Sequence, residues 1–183
     1  MSVFDTIVLI LSLAVTVLAL FLVVTVAIGG LTFAPWVPSR RRDYPRVIEL
    51  AALRPGETVY DLGCGDGRFL AYVASKLPVQ AKGIELGIPL VWLAQLRGKF
   101  VRGPGTMHIR WGDFFGRNVS DADLVFLFGI PETLARRVRV KLERELKPGA
   151  RVVSYAFSIE GWEPEEVSRP AGATPLYRYR PVR

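Results

Sequence analysis

The chain has one cysteine, one histidine and two methionines in 183 residues. A lone cysteine excludes an internal disulfide and any metal site built on a cysteine cluster, and it fits a reducing compartment. The single histidine, His108, gives Cys64 no plausible partner for nucleophilic catalysis, so Cys64 reads as a small residue tolerated in a turn and His108 as structural. No metal site is expected. Charge is missing in one place above all: from Thr6 to Ile28 there is no Asp, Glu, Lys or Arg. A helix over that stretch, at about 1.5 Å per residue, is roughly 34 Å long, enough for a bilayer core of about 30 Å.

Basic residues are also missing before this run, where Asp5 is the only charged side chain. A secretory signal would have a basic start and a shorter apolar core, so the segment reads as an uncleaved anchor. Its apolar residues lie on all sides, which argues against a core helix. Arg40, Arg41, Arg42 and Arg46 follow the run. Basic flanks stay on the cytoplasmic side, so the C-terminal domain is expected there, or in the matrix of a mitochondrion, with Met1 outside. The same arginines are candidates for anionic head groups. The chain divides into 1–30 (transmembrane anchor, with the bilayer as partner through residues 6–28), 31–56 (Pro/Arg linker and leading helix) and 57–183 (the main domain).

Net charge is +7. Part of it is the juxtamembrane cluster and the rest is scattered. No zinc-knuckle, RNP or helix-turn-helix pattern accompanies it, so no nucleic-acid partner is expected. Gly29-Gly30 is expected to end the anchor helix, and Pro35 and Pro38 to hold an extended path around Trp36. A helix is expected from Asp43 to Leu53. Strands then alternate with helices: Thr58–Asp61, helix Arg68–Leu77, Ala81–Glu85, helix Pro89–Phe100, Met107–Trp111, Ala122–Phe128, helix Pro131–Leu146, and Arg151–Phe157. Glu166–Arg169 and Leu176–Arg180 are further candidates in the tail. This alternation predicts an α/β fold, a Rossmann-like, mostly parallel sheet with helices on both faces. Ligands of such sheets bind beyond the carboxyl ends of the strands.

The strand ends carry the most informative residues. The first leads into Asp61-Leu62-Gly63-Cys64-Gly65-Asp66-Gly67-Arg68. Glycines at alternate positions permit positive φ and let a ligand approach bare backbone. The following helix points free N–H groups at it. The spacing is G-x-G-x-G, and the second glycine spacing of nicotinamide and flavin binders is missing. The second strand ends in Glu85-Leu86, where a carboxylate can accept from ribose hydroxyls. The third ends in Trp111-Gly112-Asp113, where a carboxylate can accept from an adenine amino group. Taken in order, these resemble the cofactor site of S-adenosylmethionine (SAM) methyltransferases. Asp61, Gly63, Gly65, Asp66, Gly67, Glu85, Leu86, Gly112 and Asp113 are the expected cofactor-binding residues. Asp61 and Asp66 are the candidates for the ammonium.

The resemblance narrows with Pro35-Trp36-Val37-Pro38-Ser39 after an apolar span, Leu53-Arg54-Pro55-Gly56 before the glycine turn, Gly83-Ile84-Glu85-Leu86, Phe128-Gly129-Ile130-Pro131, and Lys141–Leu146. Together these resemble the membrane-anchored protein-lysine methyltransferases, whose mitochondrial members modify the adenine nucleotide translocase and the c-subunit of ATP synthase. Gly87-Ile88-Pro89 departs from the family's usual Asn-Pro, and Cys64 replaces Ser or Gly. The resemblance implies SAM as cofactor, S-adenosylhomocysteine as product, and a membrane-protein lysine as acceptor. On that reading Phe128, Gly129 and Pro131 face the acceptor, and Trp36 and Pro38 form a flap. No general base is named: the amine must be neutral, and a dry pocket favours that form. Two other readings stand beside it, a tethered methyltransferase of a small or lipid-like molecule and a non-catalytic scaffold with this fold.

Overall fold

A computed structural model describes residues 2–33 and 36–181, with Gly29 and Thr32 described in backbone only. Ala34 and Pro35 of the Pro-Trp stretch lie outside the described residues.

The centre of the molecule is a seven-stranded sheet in the order β3-β2-β1-β4-β5-β7-β6. Its strands are β1 (Thr58–Leu62), β2 (Gln80–Glu85), β3 (Thr106–Trp111), β4 (Leu124–Leu127), β5 (Arg151–Tyr155), β6 (Glu166–Ser168) and β7 (Leu176–Tyr179). The first five are parallel, and β7 and β6 close the sheet antiparallel. Every residue of β1, β4 and β5 is buried, as expected of parallel strands covered on both faces. This is the mostly parallel Rossmann-like fold that the alternation predicts.

The helices cover the sheet by simple stripes. In α3 (Arg68–Lys76), Phe69, Leu70, Val73 and Ala74 are buried on one side, the spacing of an amphipathic helix. α4 (Ile88–Lys99) opens with a proline in its first turn and buries Leu90, Val91 and Ala94. α2 (Tyr44–Leu50) packs Tyr44, Val47 and Leu50 into the same core as Phe69 and Phe126. On the opposite face, Leu134, Val138 and Leu142 come from one long helical segment. The leading region is tied in by polar contacts. Asp43 accepts from the Tyr155 hydroxyl at 2.7 Å, and the buried Arg151 guanidinium reaches the Ala51 and Ala52 carbonyls and the Glu57 carboxylate.

Several boundaries differ from the sequence expectation. Gly29-Gly30 does not break the first helix: α1 runs Val3–Thr32. Two glycines cost about 1 kcal/mol each against alanine but leave the backbone bonds intact. α2 stops at Leu50 rather than Leu53, because Ala52 turns to φ 46. β4 starts at Leu124, since Ala122 belongs to a turn closed on the Val119 carbonyl, and it ends at Leu127, leaving Phe128–Ile130 as loop. β5 ends at Tyr155, where Ala156 takes φ 71. The helix expected over Pro131–Leu146 is α5 (Pro131–Thr133), a wider π turn over Leu134–Val138, and α6 (Arg139–Glu145). Arg46 is drawn into the domain, bonded to Asp43, Ser168 and Thr174, so it is not part of a free basic cluster.

Among the described residues, one helix is long and apolar enough to cross a membrane, Val3–Ile28, with mean hydropathy 3.2. Its two ends behave differently. Residues 7–21 are exposed on every side, whereas Leu22, Thr25, Val26, Gly30 and Phe33 are half-buried or buried. Those five recur every three or four positions, which is one helix face. Thr25 Oγ1 accepts from the Ile88 amide at 3.3 Å, so the last turns of α1 dock beside the start of α4.

Candidate active site

In the sheet order, β1 lies between β2 and β4, so the chain reverses direction of winding there. The crevice beyond the carboxyl ends at such a point is where ligands bind. A narrow cleft, partly open to solvent, lies there. It has two unlike sides.

The first side is acidic. β1 delivers Asp61 and then turns through Gly63 (φ 79) and Gly65 (φ 54). Only glycine takes this left-handed path without strain, and a side chain at Gly65 would run into the Trp36 indole, whose Nε1 would lie 2.6 Å from the added carbon. The turn is braced from β2. Gly63 and Cys64 amides donate to the Ile84 carbonyl, and the Gly65 amide donates to Glu85 Oε2 at 2.8 Å. Glu85 Oε1 accepts from the Leu86 and Gly87 amides. The loop amides expected to face a ligand are therefore partly spent on the protein itself. Glu85 keeps lone pairs for further donors.

Asp61 is the unusual group. Its carboxylate is buried and, among the described residues, makes no hydrogen bond or ion pair. Burial pushes its pKa well above the ordinary carboxylate value, and the charges of Glu85 and Asp66 push it further. A buried, unpartnered acid facing a cleft is unfavourable alone and is relieved by a cation. Asp66 is placed otherwise. Burial raises its carboxyl, but hydrogen bonds from Arg68 and the charges of Arg97 and Arg68 outweigh that and hold it below the usual value. Arg68 Nη2 stands 2.7 Å and Arg97 Nη2 2.8 Å from Asp66 Oδ2. Asp66 thus staples α3 to α4 and has little charge left for a ligand ammonium.

Cys64 packs over Gly83, where any side chain would meet its sulfur. Burial, then the charges of Asp61 and Glu85, raise its thiol well above the ordinary value. It is a neutral thiol, not a nucleophile. His108 is exposed on the edge strand β3, away from the cleft. Asp113 Oδ1 caps the short turn Phe114–Gly116 by accepting from the Phe115 amide, leaving its other oxygen free of described hydrogen bonds.

The second side is aromatic and comes from the end of α1. Phe33 inserts between the glycine turn and the end of β4. Its ring fills the space that side chains at Gly63 and Gly129 would need. It meets Phe114 edge-on, with centroids 4.9 Å apart at 82°, a favoured aromatic geometry. Val26 and Gly30 of α1, Trp36, Pro38, Phe115 and Phe128 complete this wall. Phe128 is supported by Tyr155, 5.0 Å away.

Of the residues singled out in the sequence, the cleft gathers Trp36, Pro38, Asp61, Gly63, Gly65, Asp66, Glu85, Leu86, Gly112, Asp113 and Phe128. Three stand elsewhere. Gly67 lets α3 approach α4, since its missing side chain would strike Met107 and Ala94. Gly129 lies behind Phe33. Pro131 opens α5 on an outer, open groove away from this cleft. Phe33, Val26, Gly30 and Phe114 were missed by sequence reasoning. No motif marks them in the sequence, where Val26 reads as lipid-facing and Phe33 as part of a linker. Among the described residues there is no group of three His, Cys, Asp or Glu side chains fit for a metal ion.

Residues 61–166 match the family model of the ANTKMT methyltransferase domain. A protein-lysine N-methyltransferase of Saccharolobus islandicus (strain REY15A) is 38% identical over 136 residues, covering 73% of this chain and 83% of that protein. The human lysine N-methyltransferase of the ATP synthase c-subunit is 33% identical over 136 residues, 73% of this chain but only 56% of the human protein, so the chain spans little more than half of that relative. A crystal structure of an RNA methyltransferase from Salinibacter ruber with bound S-adenosylhomocysteine superposes with TM-score 0.75 at 31% identity, covering 79% of this chain and 94% of the other. The fold and cleft are those of a SAM-dependent methyltransferase, and the chain belongs to the ANTKMT methyltransferase family of protein-lysine N-methyltransferases. Its cofactor is SAM.

Proposed function

We propose that this chain is a membrane-anchored enzyme that methylates a lysine of another membrane protein at the bilayer surface. The observation that carries the reading is the double lining of one cleft. The acid side, with the bare Asp61 carboxylate, fits a cationic cofactor. The aromatic side includes Val26 and Gly30 from the last turns of the apolar helix and Phe33 just after it. An acceptor that reaches this cleft must come within a helical turn or two of the end of that helix.

The residues divide the work as follows. When bound, the cofactor supplies a methyl group on a positively charged sulfur. Asp61 offers the charge that its ammonium or sulfonium lacks, and Glu85 offers acceptor capacity to ribose hydroxyls. Gly112 and the free oxygen of Asp113 suit the adenine edge, and Phe114 and Leu86 its faces. Phe33, Trp36 and Phe128 exclude water and desolvate the incoming amine. A lysine has an ordinary pKa of about 10.4, and desolvation lowers it toward the neutral form that can attack. In-line placement alone can account for much of the rate. No side chain is assigned as a general base.

The anchor adds effective concentration by confining enzyme and acceptor to one surface. The exposed Arg40, Arg41 and Arg42 favour the cytoplasmic or matrix side for the domain.

The test is methyl transfer from radiolabelled SAM by the full chain in its native membranes, followed by fractionation. Label recovered as methyl-lysine in a membrane-protein band is the expected result. Label in lipid points to a tethered small-molecule enzyme, and label in RNA to the substrate named for the Salinibacter protein. Either would overturn the proposal. No transfer and no SAM binding would leave a scaffold.

A further inference from the structure

α4 and the edge strand β3 carry a second apolar surface outside the cleft. Trp92, Leu96 and Phe100 lie at successive i, i+4 positions of α4 and its C-terminal cap and are 56%, 51% and 75% exposed. Trp111 at the end of β3 is 56% exposed beside them. Its indole Nε1 donates to the Leu86 carbonyl at 3.0 Å, which folds it back toward the start of α4. Gln95 bridges the same two elements through the Ile109 carbonyl. Two exposed tryptophans, a leucine and a phenylalanine in one stripe are costly in water, at about 25 cal/mol per Å² of apolar surface.

The charges carried by α4 and the chain up to the end of β3 are all basic. Between Glu85 and Asp113 the chain has no acidic residue at all, while Lys99 and Arg102 are exposed at the far end of α4. The stripe is also continuous with the docked end of α1. Thr25 bonds the Ile88 amide, and Val26 packs on Gly87. Ile88 is thereby held level with the last turn of the apolar run, and Trp92 stands one turn further along α4.

We propose that this face of α4 and β3 is a membrane-surface contact: it lies against the bilayer interface, with Trp92, Leu96, Phe100 and Trp111 at the boundary of head groups and acyl chains and Lys99 and Arg102 on anionic head groups. This rests on α1 spanning the bilayer. Aromatic residues favour the interface for their mixed character. Basic residues beside an apolar helical face add attraction to anionic lipid, screened within about 8 Å at physiological salt. The contact fixes the tilt of the domain, so that the cleft faces along the membrane plane rather than swinging on the tether.

The experiment uses tryptophan quenching by brominated lipid. Full-length chains keeping Trp92 alone (Trp36→Phe, Trp111→Phe, Trp162→Phe) or Trp162 alone are reconstituted in phosphatidylcholine–phosphatidylserine vesicles. Trp162 packs on Tyr179 and bonds Glu143, and it serves as the domain control. A third chain, with all four tryptophans changed to Phe and Phe21→Trp added, reports the anchor. Shallow bromines are expected to quench Trp92 several-fold more than Trp162. The excess should shrink with Leu96→Glu, and in vesicles of phosphatidylcholine alone. If the Phe21→Trp chain is quenched by deep bromines while Trp92 matches Trp162, the anchor stands and this proposal falls. If Trp92 escapes lipid because the chains cross-link through α4, the face is an interface between copies and the proposal falls too. If the Phe21→Trp chain is also unquenched, the anchor reading fails and takes the membrane contact with it.

Discussion

The two sides of the cleft differ in origin as much as in chemistry. The acid side is made by three consecutive strand ends within a short stretch of chain, and its key groups are held by backbone bonds, as Glu85 holds Gly65 at 2.8 Å. The aromatic side joins the end of a helix that precedes the domain to Phe114, Phe115 and Phe128 after β3 and β4, and it is held by packing, as Phe33 is between Gly63, Gly129 and Phe114. One side is local and polar. The other is long-range and apolar. Cofactor binding should therefore depend on the first and acceptor delivery on the second, and variants can separate them.

The largest effect is expected at Phe33. Phe33→Ala empties a buried aromatic site and should cost about 3–5 kcal/mol of stability. Thermal denaturation of the full chain reads this. Methyl transfer should fall further than the affinity for SAM, and equal losses would show that the two sides are not separable.

Asp61→Asn should act on the other side and with two opposite signs. A cation loses a charge-assisted partner, so SAM affinity should drop by about 1.5–3 kcal/mol, roughly 10- to 150-fold by calorimetry. The free protein should become more stable at neutral pH. The folded pKa of Asp61 lies above its unfolded value, so its ionisation costs stability as pH rises between the two. Loss of both affinity and stability would mean that Asp61 is a structural acid.

Asp66→Asn contrasts with it. This carboxylate already has two arginines, which are themselves a third or more exposed, and its removal should cost about 1–2 kcal/mol of stability. Its folded pKa is lowered, so its contribution is present above the unfolded value and is lost as pH falls through the folded one. SAM affinity should change much less than for Asp61→Asn, and a change as large would return Asp66 to the ligand. The smallest effect belongs to Cys64→Ala. A buried neutral thiol should be replaceable for about 1 kcal/mol of stability with full transfer activity, and abolished transfer with intact folding would make it a participant.

The same contrast explains what the sequence could and could not tell. Asp61, the glycine turn and Glu85 were legible because their chemistry is written within one strand-turn-helix unit and its neighbour. Gly67 has the same signature as Gly65, yet its role is to admit Ala94 of α4, which only tertiary packing decides. Asp66 looked available because nothing in the chain order brings Arg97 to it. Gly29-Gly30 looked like a helix end by propensity, while the docked face of α1 keeps the helix running to Thr32. Phe33 was hidden for the plainest reason: a phenylalanine in a proline-rich linker carries no sign of what it packs against, and only the gaps left by Gly63 and Gly129 reveal its place.

The cleft holds an acid, Asp61, waiting for a positively charged ligand. Calorimetric titration of the full chain with SAM over a range of pH, in buffers of different ionisation heat, tests it most directly. Affinity should rise with pH through the titration of Asp61 by at most about tenfold per unit, with proton release on binding, and both effects should vanish in the Asp61→Asn variant. A flat profile with no proton released would contradict it.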